Sequence, residues 1–106
     1  MSSGQTVVSV SGKRIRLTEE RWAHIERRHP ELRGSREKVL EAVSDPNFVV
    51  GGHYGEQVAV KSSRTISKFL VVVYRESSKD GFIIPAFLTS DVTHLESREK
   101  LWPSLF

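Results

Sequence analysis

The segment His24–Glu31 brings two imidazoles, two guanidiniums and two carboxylates together within eight residues. Histidine titrates closest to neutral pH, so it can both accept and donate a proton. Arginine can stabilise the negative charge that builds on a phosphate during cleavage. These residue types suit acid–base cleavage of RNA, in which one group removes the 2′-hydroxyl proton and another protonates the leaving oxygen.

Of the two histidines, His29 is the stronger candidate for proton transfer. Pro30 disfavours helical geometry at the residue before it, so a helix that contains Trp22 and Ile25 is predicted to end at His29. A helix C-terminus favours the charged imidazolium, which suits a general acid. His29 also continues the apolar stripe of Trp22 and Ile25, and by pattern alone it is equally well read as a hydrogen-bonded core histidine.

His24 is predicted to lie on another side of the same helix. It is about 140° from His29 on an ideal helix, and it aligns with Glu20 and Arg28 instead. Taken alone, this spacing favours a surface residue, so His24 is expected to assist or to position the substrate.

Further along the chain, two groups of polar residues are candidates for phosphate or RNA binding. Lys61, Arg64 and Lys68 flank a polar loop between two predicted strands, and such a loop can hold a phosphate. Thr89 and Ser90 end the last long strand, where a hydroxyl can bind a phosphate oxygen. The alternatives are a solvated hairpin end for the first group and a cap for the following helix for the second.

Metal and thiol chemistry find little support in the sequence. The chain has no cysteine, which excludes disulfides, thiolate metal sites and a cysteine nucleophile. His24 and His29 are five residues apart, which differs from the spacing of the His-Glu-x-x-His zinc helix. Asp91 and His94 could share a helical face, but no spacing in the sequence indicates a third ligand such as His53. We therefore expect neither a metal nor a cofactor.

Bulk composition predicts one domain covering residues 1–106, with residues 1–5 frayed. The net charge of +3 permits an anionic partner such as RNA without demanding one. The longest apolar run, Phe69–Tyr74, is far shorter than the ~20 residues that span a bilayer. No signal peptide is recognisable, so we expect a cytoplasmic protein that does not contact membranes.

The elements that must position these side chains can be read from local patterns. Residues 6–17 alternate around Ser11-Gly12 and predict a short hairpin or a single bent strand. Thr18 is a good N-cap for the first helix, and Ser35 can cap a second helix that ends at Ser44-Asp45-Pro46. The predicted strands cover 48–50, 57–61, 66–75 and 82–89, and a short terminal helix carries Leu95, Leu101 and Trp102 into the core.

Pro85 lies inside the last predicted strand and requires an edge or a bulge there, because proline cannot donate a ladder hydrogen bond. The order of elements predicts an α+β fold. Its expected architecture is two N-terminal helices packed on one face of a roughly four-stranded antiparallel sheet, followed by the short C-terminal helix.

Several of these residues together resemble the phage-associated branch of the barnase–EndoU–colicin–RelE (BECR) nuclease superfamily. The resemblance spans roughly Ile15 to Ser90. It rests on Ile15-Arg16-Leu17-Thr18, His24-Ile25, Arg28-His29-Pro30-Glu31, Asp45-Pro46, Lys61, the strand Phe69-Leu70-Val71-Val72-Val73 and Phe87-Leu88-Thr89.

This resemblance implies metal-free RNA cleavage on the open face of the sheet, by a toxin or effector that is sometimes paired with an antitoxin or immunity protein. It assigns acid–base roles to His29 and His24, a basic role to Lys61 or Arg64, and the hydroxyl role to Thr89 or Ser90. The leading expectation is an endoribonuclease that works by 2′-hydroxyl attack, with Arg28, Lys61 and Arg64 on the phosphate. The alternative is an inactive RNA- or protein-binding module of the same fold. A small enzyme acting on another anionic substrate is a third, weaker expectation.

Overall fold

The computed structural model describes residues 4–63, 67–78 and 80–103. In chain order these residues form β1 (Gln5–Val8), β2 (Arg14–Leu17), α1 (Glu19–Arg28), α2 (Arg36–Ser44), β3 (Phe48–Gly51), β4 (Gln57–Ser63), β5 (Lys68–Arg75), β6 (Asp80–Thr89), α3 (Thr93–Glu96) and β7 (Lys100–Trp102). A short 3-10 helix, Pro30–Leu32, connects α1 to α2. Residues 1–3 of the terminus predicted to be frayed lie outside the described residues, and Gln5 already belongs to β1.

The strands form one mixed sheet in the order β1-β2-β6-β5-β4-β3-β7, so the predicted four-stranded antiparallel sheet with N-terminal helices is wrong. The β1–β2 hairpin precedes the helices, and β2 runs parallel to β6 while all other neighbours are antiparallel. Arg14 lies opposite Asp80 and Ile15 opposite Gly81. The short alternating segment around Ile15 predicts a strand, but it carries no information about a partner so distant in sequence.

The C-terminal segment also differs from its prediction. Helix α3 is a single turn, and Leu101 and Trp102 belong to β7, where Trp102 pairs with Val49 on the outer side of β3. A strand of three residues is too short to show a period of two. Its formation therefore depends on the unpaired edge that β3 offers.

The two faces of the sheet are covered differently. Helices α1 and α2 pack on one face, which we call the helix face, and the main core lies between them and the strands. A smaller cluster on the opposite face is closed by Val92 and Leu95 at α3. Among the described residues, no helix is long and apolar enough to cross a bilayer.

Helix α1 is held by its first turn and by α2. Thr18 caps it as predicted, since its Oγ1 accepts a hydrogen bond from the Arg21 backbone N–H at 3.0 Å. The carboxylate of Glu19 accepts two hydrogen bonds of 2.7 Å from the Arg36 guanidinium on α2. Such a two-point ion pair fixes orientation as well as distance. It therefore links the first turn of α1 to the first residue of α2.

Pro85 occupies a bulge in β6, which confirms one of the two settings predicted for it. Val72 lies opposite Ala86, whereas Tyr74 lies opposite Ile83, so β6 has one more residue than β5 in this stretch. The bulge accommodates a residue that cannot donate a ladder hydrogen bond.

Candidate active site

The C-terminal half of α1 lies against the part of β6 that β2 does not reach. Strand β2 pairs only with residues 80–82 of β6. Helix α1 contacts β6 beyond this point, where His29 lies beside Phe87. Between them is a concavity of about 150 Å³, which we call the histidine concavity, lined by Arg21, His24, Ile25, Arg28, His29 and Pro85.

His29 is the C-cap of α1. Its backbone N–H donates to the Ile25 carbonyl at 2.7 Å, and the helix ends there as Pro30 predicts. Its side chain is 35% exposed, and its Nδ1 is 3.5 Å from Glu31 Oε2, so the protonated ring forms an ion pair with that carboxylate. The ring centroid lies 6.0 Å from that of Phe87 on β6. His29 thus joins the core stripe only in part and keeps an accessible imidazole.

His24 lines the same concavity, although ideal helical geometry predicts another side of α1. The C-cap angles of His29, φ −133° and ψ 76°, leave the helical region. The ideal-helix projection therefore does not describe the direction of the His29 side chain. The fold brings together two imidazoles that the spacing alone separates.

The surroundings of His24 favour its neutral form. Partial burial of the ring lowers the pKa of His24 below the ordinary 6.5, and the positive charges of the three arginines on α1 and of His29 act in the same direction. A neutral imidazole at physiological pH can accept a proton. His24 is therefore suited to act as a base.

Arg21 and Arg28 give the concavity a positive rim. Within residues 4–63, 67–78 and 80–103, no carboxylate lies at ion-pair distance from either guanidinium. Guanidinium groups bind phosphate through paired N–H donors. The concavity thus combines proton-transfer groups with donors for an anion.

Lys61 lies elsewhere, at the C-terminus of α2. Its Nζ donates to the backbone carbonyl of Asp45 at 2.7 Å and contacts Asp45 Oδ2 at 3.1 Å. Because Lys61 pairs with Leu70, which belongs to the main core, its side chain is on the helix face. The structure does not bring it to the histidines.

The structure places only one of the other two basic candidates, Lys68. Lys68 is exposed at the start of β5, opposite Ser63. Arg64 lies outside the described residues. Neither Lys68 nor Lys61 lines the histidine concavity.

Thr89 lies two residues beyond Phe87, and alternation along the strand puts both on the side of β6 opposite the helix face. Its hydroxyl donates to the Asp91 carbonyl at 3.2 Å and accepts the Asp91 N–H at 3.3 Å. Ser90 is exposed in the same turn. These bonds hold the turn between β6 and α3. The N-cap of α3 is Val92, and no side-chain hydrogen bond caps this helix in the described residues, so neither Thr89 nor Ser90 forms the predicted cap.

Three residues that the sequence reasoning did not select contribute to this site. Arg21 is three residues before His24 and seven before Arg28, so helical spacing could have found it. Glu31 lies in the Arg28–Glu31 segment, but the sequence alone does not indicate that its carboxylate pairs with His29. Phe87 had no local signal, because its contact with His29 depends on α1 lying beside β6.

In the described parts of the chain, no three His, Asp or Glu side chains form a group able to hold a metal ion. His53 is 2.9 Å from a guanidinium nitrogen of Arg98, and Asp91 accepts a hydrogen bond from the Thr93 N–H at 2.9 Å.

No protein-family model matches the chain, and comparison with curated proteins and with solved structures gave no significant match. The chemical interpretation of the site therefore depends on its own geometry.

Proposed function

We propose that this protein is a metal-independent endoribonuclease whose active site is the histidine concavity. The observation that carries the proposal is the meeting of two imidazoles in unlike surroundings, beside two guanidiniums without a carboxylate partner among the described residues. Acid–base cleavage of RNA needs a proton acceptor, a proton donor and positive groups that stabilise charge on the phosphate. The concavity supplies all three requirements.

In the proposed reaction, neutral His24 removes the proton of a 2′-hydroxyl. The 2′-oxygen then forms a bond to phosphorus while the bond from phosphorus to the 5′-oxygen breaks. Protonated His29, paired with Glu31, donates a proton to that leaving oxygen. Arg28 and Arg21 stabilise the charge on the phosphate. The products are a 2′,3′-cyclic phosphate and a 5′-hydroxyl.

The resemblance to the BECR nucleases extends this proposal to a toxin-like role, with a cognate antitoxin or immunity protein as a second partner. A reducing cytoplasm suits a small domain without cysteines. RNA and a partner protein are the ligands that we propose for this chain.

Incubation with labelled RNA in the presence of EDTA tests the proposal. We expect the parent protein to produce cyclic-phosphate ends and His29→Ala to lower the rate by about 10²–10⁴-fold. The matched control is His94→Ala, because His94 is exposed on α3 and does not line the concavity. Cleavage by His29→Ala at the parental rate, or loss of parental cleavage in EDTA, would contradict the proposal.

The second candidate, an RNA-binding module without catalysis, is favoured by one observation. Lys61 is bound to Asp45 and the Thr89 hydroxyl is bound within its own turn, so two groups that the resemblance implies for catalysis are engaged elsewhere. This candidate predicts RNA affinity that falls with salt and no product in the same assay.

A further inference from the structure

A second depression, on the helix face, adjoins the proposed active site. Its floor is formed by Leu32 of the 3-10 helix, Leu70 of β5 and Leu88 of β6, and its volume is about 260 Å³. We call it the leucine groove. Leu32 and Leu70 are buried and Leu88 is half-buried, so an apolar surface is presented at the bottom of an otherwise polar region.

The rim of the leucine groove is polar and carries both signs of charge. Glu31 supplies a hydrogen-bond acceptor, exposed Lys38 supplies a donor, and the Ser63 hydroxyl can serve as either. Glu31 also lies 3.5 Å from His29 across the border with the histidine concavity. Whatever occupies the groove would therefore lie beside the proposed proton donor.

We propose that the leucine groove binds one nucleobase of the RNA whose phosphate lies in the histidine concavity, an inference that rests on the proposed function. A base is flat, with apolar faces and an edge of donors and acceptors, and single-stranded RNA is recognised through bases that are turned out of the stack. Adenine, for example, offers an amino donor to Glu31 and a ring-nitrogen acceptor to Lys38. The groove is slightly smaller than the roughly 300–1,000 Å³ of sites for drug-sized ligands, which suits a single base.

The test is an NMR titration of the full chain in which the methyl groups of Leu32, Leu70 and Leu88 are followed. AMP is the probe, and ribose 5-phosphate is the matched ligand without a base. We expect AMP to shift the three leucine methyls and ribose 5-phosphate to leave them in place. Unmoved methyls with AMP, or equal shifts with ribose 5-phosphate, would overturn the proposal without any need for a variant.

A pair of variants locates the binding. Ser63→Phe fills the groove and is expected to weaken AMP binding by about tenfold. Ser62→Phe is the matched control, because Ser62 is exposed and its side chain points to the opposite side of β4. Parental affinity in Ser63→Phe, or equal loss in both variants, would also overturn the proposal.

These outcomes are separable from those of the nuclease assay. A parent protein that cuts no RNA but binds AMP in the groove would refute the proposed function and leave the base site standing. A parent protein that cuts RNA while AMP leaves the leucines unmoved would refute the base site alone.

Discussion

The two long helices end in different ways. At the C-terminus of α2, the carbonyl of Asp45 accepts a hydrogen bond from Lys61 Nζ. At the C-terminus of α1, the carbonyl of His29 accepts a hydrogen bond from the Leu32 N–H at 2.9 Å, within the 3-10 helix that follows. A lysine side chain from β4 caps α2, whereas the backbone of the following 3-10 helix caps α1.

This difference decides which cations remain available to a ligand. Cations are favoured near any helix C-terminus because of the partial negative charge there. At α2, Lys61 already donates its hydrogen bond to the Asp45 carbonyl. At α1, the backbone turn after His29 satisfies the helix end, and Arg28 lines the histidine concavity. A basic residue near a helix end is therefore a binding candidate only where something else satisfies the carbonyls.

Among the changes that test this comparison of helix ends, the largest expected effect concerns Arg28. If it stabilises charge on the phosphate, Arg28→Ala should lower kcat/KM on labelled RNA by about 10²–10³-fold. Arg27→Ala is the matched control, since Arg27 is exposed in the same turn but does not line the concavity. Equal losses in the two variants would show that only the overall charge of α1 matters.

A smaller effect is expected at the other helix end. Lys61→Met removes the cap on Asp45 and should lower the free energy of unfolding by about 1 kcal/mol, measured by urea denaturation. Its rate of RNA cleavage should equal that of the parent. Lys13→Met, at an exposed position before β2, controls for the loss of one charge. If Lys61→Met instead lost activity while remaining stable, Lys61 would belong to the active site and the comparison of the helix ends would fail.

The smallest expected effect is a displacement of the pH profile. His24 must be neutral to act as a base, so kcat/KM should rise with pH through the lowered pKa of His24, at values below 6.5. Arg21→Gln removes a neighbouring positive charge and should raise the pKa of His24, which moves this limb to higher pH. A limb at or above pH 6.5 in the parent, or an unmoved limb in Arg21→Gln, would assign the base role to another group.

Features that depend on neighbours in the chain were predictable. The cap at Thr18, the helix end before Pro30 and the bulge at Pro85 each follow from the chemistry of one residue and its immediate surroundings. The position of His29 at the end of α1 could be predicted for the same reason, because Pro30 follows it.

The histidine concavity could be predicted only in part. Arg28, His24 and His29 lie within one short segment, but their meeting depends on a C-cap whose backbone leaves the helix and on a strand edge that β2 leaves uncovered. Lys61 and Thr89 were predicted to bind the phosphate, but whether they are available for it depends on their hydrogen-bond partners in the fold. Those partners come from the packing of β4 against the end of α2 and from the turn into α3.

By itself, the sequence determined the local elements and the residues capable of chemistry, because propensity, capping and proline geometry act over a few residues. Only the tertiary structure decided the mixed sheet, since the parallel pairing of β2 with β6 and the addition of β7 join segments that are distant along the chain. It also decided which cations are paired and which face the two imidazoles. That outcome depends on how the ends of α1 and α2 pack against the strands.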